Sequence, residues 1–540
     1  MTAADTSYMK EKPVLSLLLS MGIPMMLSML INSLYNIVDG IFVARMSEDA
    51  MMAISLVYPV QNLLHSIAVG FGVGTNAVIA IFLGSRKGNA ASSAASQGIL
   101  LNLCHGLLFM VFGILFMRPF LNMFTSNETV IAYGMQYGII VLCFSMIHTT
   151  ELSFEKIFQS VGRMKTSMIS LGSSCMINII LDPLLIFGIG PFPEMGIRGA
   201  ALATGIGQTT GLCIYLLTSR INPLNLQFKM QYFKPDKNIC RRLYGIGIPA
   251  TLNMALPSFL ISALNILLGT FSDTQVLVLG IYYKLQSFLY LPANGMIQGM
   301  RPIMSYNYGA RESSRVRSIY QTALYIIILI LLAGTVLCLA VPDQLIHLFS
   351  DNTETIVAGR RALRIICIGF AVSGVSVVTA GALEAMGKGI HSLLISCMRY
   401  IVLILPLAFI FSHFFGVNGV WHAFGSRKSS QLSPPVLFSI VSIGQSPDTD
   451  FLFLFMSIPY HSSDKYHTYN TGNQSDLLPV IVLLFLRFCG ILTPLRPGLF
   501  CMLLEFPGSI RCIHQHMPLS RIRSIACLIF CNNANRLILI

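Results

Sequence analysis

Long apolar runs separated by short polar connections dominate residues 14–415. Read as helices, they fall at about 14–44, 50–83, 93–118, 129–161, 167–190 and 196–218, and again at about 245–271, 275–306, 316–341, 355–386 and 390–415. Runs of this length match a bilayer hydrocarbon core of roughly 30 Å, which about 20 helical residues cross. The short alternating segments of a membrane β-barrel are absent from the pattern. The spacing predicts a twelfth helix near 418–440, where the apolar pattern deteriorates.

The pattern also repeats. Gly22-Ile23-Pro24 recurs 225 residues later as Gly247-Ile248-Pro249. At the same shift Gln61 meets Gln286, Gly70 meets Gly295, Gly74 meets Gly299, and Phe124 meets Phe349. Gly84-Ser85-Arg86 likewise meets Gly309-Ala310-Arg311, and Gly162 meets Gly387. Further on, Gly196-Ile197-Arg198-Gly199 pairs with Gly416-Val417-Asn418-Gly419 at a shift of 220, as a small indel would produce. Chance glycine matches would scatter in offset, so a six-helix unit is read as duplicated. An even number of spans makes the copies parallel, with a substrate site expected near the midplane between them. The fold class expected is an all-α integral membrane protein of two six-helix lobes with the twelfth helix disrupted or missing. The expected divisions are a lobe at 1–220, a basic linker at 221–244, a second lobe at 245–424, and an aberrant tail at 425–540. The matched GxxxG pairs are expected to pack helices closely.

Composition agrees with a bilayer protein: 54% of the 540 residues are hydrophobic and 11% charged, and the mean hydropathy is +0.71. The net charge of +13 would suit nucleic acid, but its distribution argues against that partner. Lys and Arg gather in alternate connections: Arg86/Lys87, Arg163/Lys165, the linker with Lys229, Lys234, Lys237, Arg241 and Arg242, then Arg311/Arg315/Arg317 and Lys388. The opposite connections offset Arg45, Arg118 and Arg198 with Glu48, Asp49, Glu128 and Glu194. The bias predicts a cytoplasmic N-terminus in a multi-pass bacterial cytoplasmic-membrane protein. Lys10 and Lys12 precede the first run with no cleavage site after it, so a retained helix is expected. Arg360, Arg361 and Arg364 break the pattern and are expected either to line a water-filled cavity or, the preferred reading, to snorkel to an interface. The 13 Cys lack paired metal spacing and read as small packing residues.

Several motifs together resemble the MATE exporters (multidrug and toxic compound extrusion). Residues 295–311, GMIQGMRPIMSYNYGAR, resemble the signature after that family's eighth helix. FQSVGRMK at 158–165, NIILDP at 178–183 and GIRGAALAT at 196–204 are similar to its fourth-to-sixth helix region. The resemblance spans roughly residues 10–424. It implies a V-shaped twelve-helix exporter that exchanges inward Na⁺ or H⁺ for outward cationic or amphipathic compounds, with no other cofactor.

Ionisable side chains inside spans cost at least ~2.5 kcal/mol each and mark function. Asp39 lies towards the end of the first helix, and Asp182 lies between Leu181 and Pro183 in the fifth. A carboxylate can hold Na⁺ or a proton, and Pro183 can free backbone carbonyls nearby. In the second copy Leu264 and Leu405 occupy the equivalent places, so the scaffold does not need acids there. The resemblance adds Asn178 and Thr204 to a cation or proton site with these two acids. Tyr35, Asn36, Gln61, Tyr282 and Gln286 are expected to line the substrate cavity, with Tyr283 and Tyr290 as further aromatic faces for organic cations. Glu151, Glu155 and Glu384 form a second tier; the latter two are expected as exposed charges near helix ends. Lys284, inside the eighth span, calls for an acidic partner.

Beyond Phe424 the repeat stops, and the tail holds scattered His and five Cys between Cys489 and Cys531 without ligand spacing. The tail is expected to be foreign to the fold. A lipid-linked precursor flippase remains a rival, disfavoured by Asp39 and Asp182. The sequence shows no HExxH or nucleophile constellation that would make it an enzyme. A monomer is expected.

Overall fold

The computed structural model describes residues 6–224 and 226–425. Among them, every regular element is helical. In chain order the α-helices are α1 (Tyr8–Glu11), α2 (Val14–Ala44), α3 (Glu48–Gly84), α4 (Gly88–Asn122), α5 (Glu128–Cys143), α6 (Ser145–Ser160), α7 (Met164–Phe187) and α8 (Ile197–Ile221). They continue as α9 (Lys237–Gly269), α10 (Asp273–Gly309), α11 (Ser313–Ala340), α12 (Pro342–His347), α13 (Thr353–Ile366), α14 (Phe370–Ala385), α15 (Gly389–Cys397), α16 (Leu405–Phe415) and α17 (Val417–Gly425). A 3-10 turn, Cys367–Gly369, joins α13 to α14, and a π-helical segment, Met398–Ile404, joins α15 to α16. Ten helices or helix pairs among the described residues are long and apolar enough to cross a membrane, and the α5–α6 pair makes an eleventh if counted as one span. Of the expected twelfth helix, α17 is the described part; the remainder and the tail from 426 lie outside the described residues.

Side-chain caps set several helix starts. Ser47 accepts from Ala50 N at 3.0 Å, Asn127 from Thr129 N at 3.0 Å, Asp236 from Asn238 N at 2.7 Å, and Asn352 from Glu354 N at 2.8 Å. Exposed apolar side chains cover the outer faces, among them Leu107, Leu108, Val111, Phe112, Leu115 and Phe116 on α4. Such a surface suits lipid tails and not water.

The span expected as one helix over 129–161 is instead bent by 46° between α5 and α6. At the break Ser145 Oγ donates to the Gly106 carbonyl at 2.8 Å, which fixes α6 closely against α4. The expected helix at 355–386 breaks as well, at Cys367–Gly369, and Gly369 stands 225 residues after Phe144. The backbone repeats in other places. Arg86 and Arg311 have φ of 59° and 60°, Gly162 and Gly387 both have 80°, and Gly196 and Gly416 have 56° and 57°. These are left-handed turns, which glycine adopts freely and arginine only at a cost.

The first helix of each half straddles the molecule. Early α2 residues Leu17, Leu18, Met21 and Met25 share a core with α10, α11 and α14, whereas Val43 packs with α3, α5 and α8. Early α9 residues Ile239, Leu243, Ile246 and Ala250 pack with α3, α4 and α6, while Leu260 to Leu268 belong to the core of their own half. Glycines make both crossings tight. A Cβ on Gly299 would lie 2.7 Å from Gly22 Cα, and one on Gly295 would lie 2.5 Å from Met26 Cα. At the mirrored crossing, a Cβ on Gly74 would meet Gly247 and one on Gly70 would meet Thr251. The GxxxG pairs therefore act as close helix contacts.

Lys284 is exposed, with Nζ 5.8 Å from the centroid of the Phe349 ring; the expectation of a buried lysine is corrected. Arg360 pairs with Asp343, and Arg361 and Arg364 are exposed on the same helix.

Candidate ion and substrate site

Asp39 sits on α2 shortly before that helix ends at Ala44. Asp182 sits on α7, fully buried, one residue before the in-helix proline Pro183. Packing of α7 against both α2 and α8 brings these residues together with Thr204 of α8. The Asp39 and Asp182 carboxyl groups are neighbours. Neither Asp182 oxygen has a partner of good hydrogen-bond geometry, although both are shielded from solvent. Neighbouring carboxylates repel unless a proton or a cation lies with them.

Neutral oxygens complete the surroundings. Asn178 Nδ2 donates to Thr204 Oγ1 at 3.3 Å, and Thr204 Oγ1 donates to the Ala200 carbonyl at 3.1 Å. Asn178 Oδ1 is left unpaired and buried. The Tyr35 hydroxyl reaches Thr204 and lies near both acids. Tyr137 of α5 also lies near both acids, and its hydroxyl accepts from Gln61 Nε2 at 3.3 Å. Tyr137 carries no signal in the sequence: it is one aromatic residue in an apolar run, and only the packing of α5 on α3 and α8 delivers its hydroxyl. Asp39, Asp182, Asn178, Thr204 and Tyr35 thus lie together, with Gln61 bonded to the nearby Tyr137. Asn36 is exposed and donates to the Asn32 carbonyl at 2.7 Å, outside these contacts.

The second-tier acids differ from expectation. Glu155 is mostly buried, pairs with Lys156 Nζ at 2.8 Å, and accepts from Gln159 Nε2 at 2.6 Å. Lys156 also reaches Gln298 Oε1 of α10 at 3.4 Å, a contact between the two halves. Glu384 is buried, accepts from Arg301 at 2.6 Å, and also accepts from Asn253 Nδ2 at 2.9 Å and Ser392 Oγ at 3.1 Å. Neither is a cheap exposed charge; the reading failed because proximity to a helix end in sequence does not reveal what packs over it. Glu151 is buried against Gly211 of α8.

In the second half, Tyr282 is buried against Phe370 and Phe424, with ring centroids 6.5 Å and 5.7 Å away. Tyr290 is buried and its hydroxyl is hydrogen-bonded to Ser373. These two are packed within the lobe and do not form an open cavity wall, whereas Gln286 and Tyr283 keep part of their surface accessible.

The lipid-suited exterior, the crossed halves and an oxygen-lined acidic pair within the spans define a multi-pass helical membrane transporter. Comparison with known proteins narrows the class. The MatE family model matches the chain twice, over residues 24–184 and 249–410, and the chain belongs to that family. It is 27% identical over 415 residues to the multidrug export protein MepA of Staphylococcus haemolyticus, covering 76% of this chain and 90% of the relative. MepA of Staphylococcus aureus strain MRSA252 is 24% identical over 414 residues, with the same coverage of 76% and 90%. Among solved structures, a MOP superfamily transporter from Pyrococcus furiosus aligns with a TM-score of 0.76 at 22% identity, covering 83% of this chain and 100% of its own. A MATE crystallised with MaL6 aligns with a TM-score of 0.73 at 23% identity, covering 78% of this chain and 94% of its own.

Proposed function

We propose that the protein is a secondary exporter that couples inward movement of Na⁺ or H⁺ to efflux of cationic and amphipathic organic compounds. The observation that carries this reading is the acidic pair: Asp182 is fully buried with both oxygens unpaired, and Asp39 faces it. A hard cation or a proton offers the partner these oxygens lack, and the Asn178, Thr204, Tyr35 and Tyr137 oxygens can complete its shell. The naming of the MepA relatives as multidrug export proteins supports the substrate class.

Coupling requires the ion and the drug to prefer different conformations, because a ligand shifts an equilibrium only by its differential affinity. Ion binding at Asp39 and Asp182 draws α2 and α7 together and favours one state, and organic substrate favours the other. The second half has Leu264 and Leu405 at the equivalent positions, so ion coupling of this type belongs to the first half. In this reading the N-terminus and the basic connections face the cytoplasm, and the protein works as a monomer in a bacterial cytoplasmic membrane.

The test uses everted membrane vesicles with a fluorescent cationic dye, under Na⁺ and proton gradients imposed separately. One gradient is expected to accelerate dye movement in the wild type. Asp182→Asn and Asp39→Asn are expected to remove at least nine-tenths of that acceleration. Unchanged gradient-driven movement in either variant rejects the assignment.

A further inference from the structure

Between Gly389 and Phe415, Arg399 is the only Lys, Arg, Asp or Glu. It sits near the middle of a span whose other residues suit lipid or packing, so its guanidinium must be stabilised by something specific. An arginine that snorkels would extend along its helix towards an interface. Arg399 instead lies over the ring of Tyr400, with the guanidinium carbon 4.9 Å from the ring centroid, and Tyr290, Tyr282 and Tyr283 of α10 are in its neighbourhood.

Three features of the surroundings bear on its role. The backbone at Arg399 is π-helical over Met398–Ile404, a departure from regular hydrogen bonding that is frequent at functional sites. No carboxylate among the described residues pairs with Arg399. The second half's inward acid, Glu384, is already held by Arg301. Tyrosine faces and hydroxyl oxygens can hold a guanidinium in place, but they leave its positive charge without a counter-ion. The fork of N–H donors matches a carboxylate, two parallel hydrogen bonds at once.

We propose that Arg399, held over Tyr400, forms an anion subsite in the second half that takes the carboxylate of zwitterionic aromatic substrates. The first half supplies carboxylates and the second a guanidinium, so one amphipathic molecule with an amine and an acid finds a partner of opposite sign in each. The assignment deepens the export reading by naming a substrate class. The binding test stands apart from that reading because it needs no ion gradient.

The probes are rhodamine B, which carries a free carboxylate beside its cationic ring system, and its ethyl ester, which is a cation alone. Binding of both to the purified full-length chain in neutral detergent is followed by fluorescence polarisation. The wild type is expected to bind the acid about tenfold more tightly than the ester. Arg399→Gln is expected to bring that ratio to about one while ester binding persists, and Arg399→Lys to retain part of it, since a point charge lacks the fork. If Arg399→Gln fails to give a monodisperse protein, Tyr400→Leu decides: loss of the ring is expected to lower the preference about threefold. The proposal is overturned if the wild type shows no preference, or if Arg399→Gln keeps it. Competition of phosphatidylglycerol with rhodamine B would assign the subsite to a lipid phosphate and overturn it equally.

Discussion

At the scale of single residues, the structure separates buried charge that is satisfied from buried charge that is not. Both Glu384 oxygens are engaged, one by Arg301 and the other by Asn253 and Ser392, while Arg301 Nε and Asn253 Oδ1 stay unpaired. Removing one member leaves the other buried alone, which costs about 3–5 kcal/mol. Glu384→Ala is therefore expected to lower the melting temperature strongly in a thermal-shift assay, and the double change Arg301→Met with Glu384→Leu to recover most of it. Asp182 is the opposite case, a carboxylate whose oxygens await a partner. Asn178→Ala and Thr204→Ala, which strip neutral oxygens from around it, are expected to shift the ion dependence of efflux to higher concentration with little change in melting temperature. Equal effects of all these changes on stability alone would mean that both groups are structural.

At the scale of elements, helix breaks position the chemistry. The bend at Phe144 turns α6 so that its polar face, with Glu151, Glu155 and Gln159, points inward and not along the axis of α5. Gly106 permits this, since a Cβ there would lie 2.5 Å from Thr149 Oγ1 and 2.9 Å from Met146 Cα. Gly106→Leu is expected to force α4 from α6 and to destabilise by about 1–3 kcal/mol. Ser145→Ala, which removes only the hydroxyl bond, is expected to cost about 1 kcal/mol. A thermal-shift series across the two variants checks the order, and a larger loss for Ser145→Ala would show that the hydroxyl bond, not close packing, holds the bend.

At the scale of the whole molecule, the ends of α3 and α10 close on each other. Gly84 packs against the Tyr306 carbonyl, Gly309 against the Ile81 carbonyl, and Ser85 Oγ donates to the Gly309 carbonyl at 2.9 Å. Tyr306 stands 225 residues after Ile81, so the two halves make the same contact on one another. A side chain at either glycine prevents this approach. Gly84→Val and Gly309→Val are each expected to cut gradient-driven dye movement in vesicles at least tenfold while dye binding in detergent persists. Retained transport in both would show that closure at this end is not part of the cycle.

The hydrophobic pattern was sufficient for the spans because helix length and apolarity are imposed by the bilayer itself, whatever the neighbours. The 225-residue repeat pointed to matched turns and glycine contacts, since only glycine allows backbones so close. The two in-span acids were legible for the same reason: a carboxylate in that setting is costly enough to stand out in any list of residues. What packs against a helix end is not written in its local sequence, so the burial of Glu155 and Glu384, the exposure of Lys284 and the packed state of Tyr282 and Tyr290 emerged only in three dimensions. Tyr137 and Arg399 belong to the same class. Tyr137 gains meaning from the arrival of α5 beside Asp39 and Asp182, and Arg399 from a π-helical turn that sets it near the tyrosines of α10. The sequence by itself determined which segments enter the membrane and which carry charge there; the tertiary structure decided which of those charges meet, because contact between distant helices depends on the crossing of α2 and α9 and on no property of either helix alone.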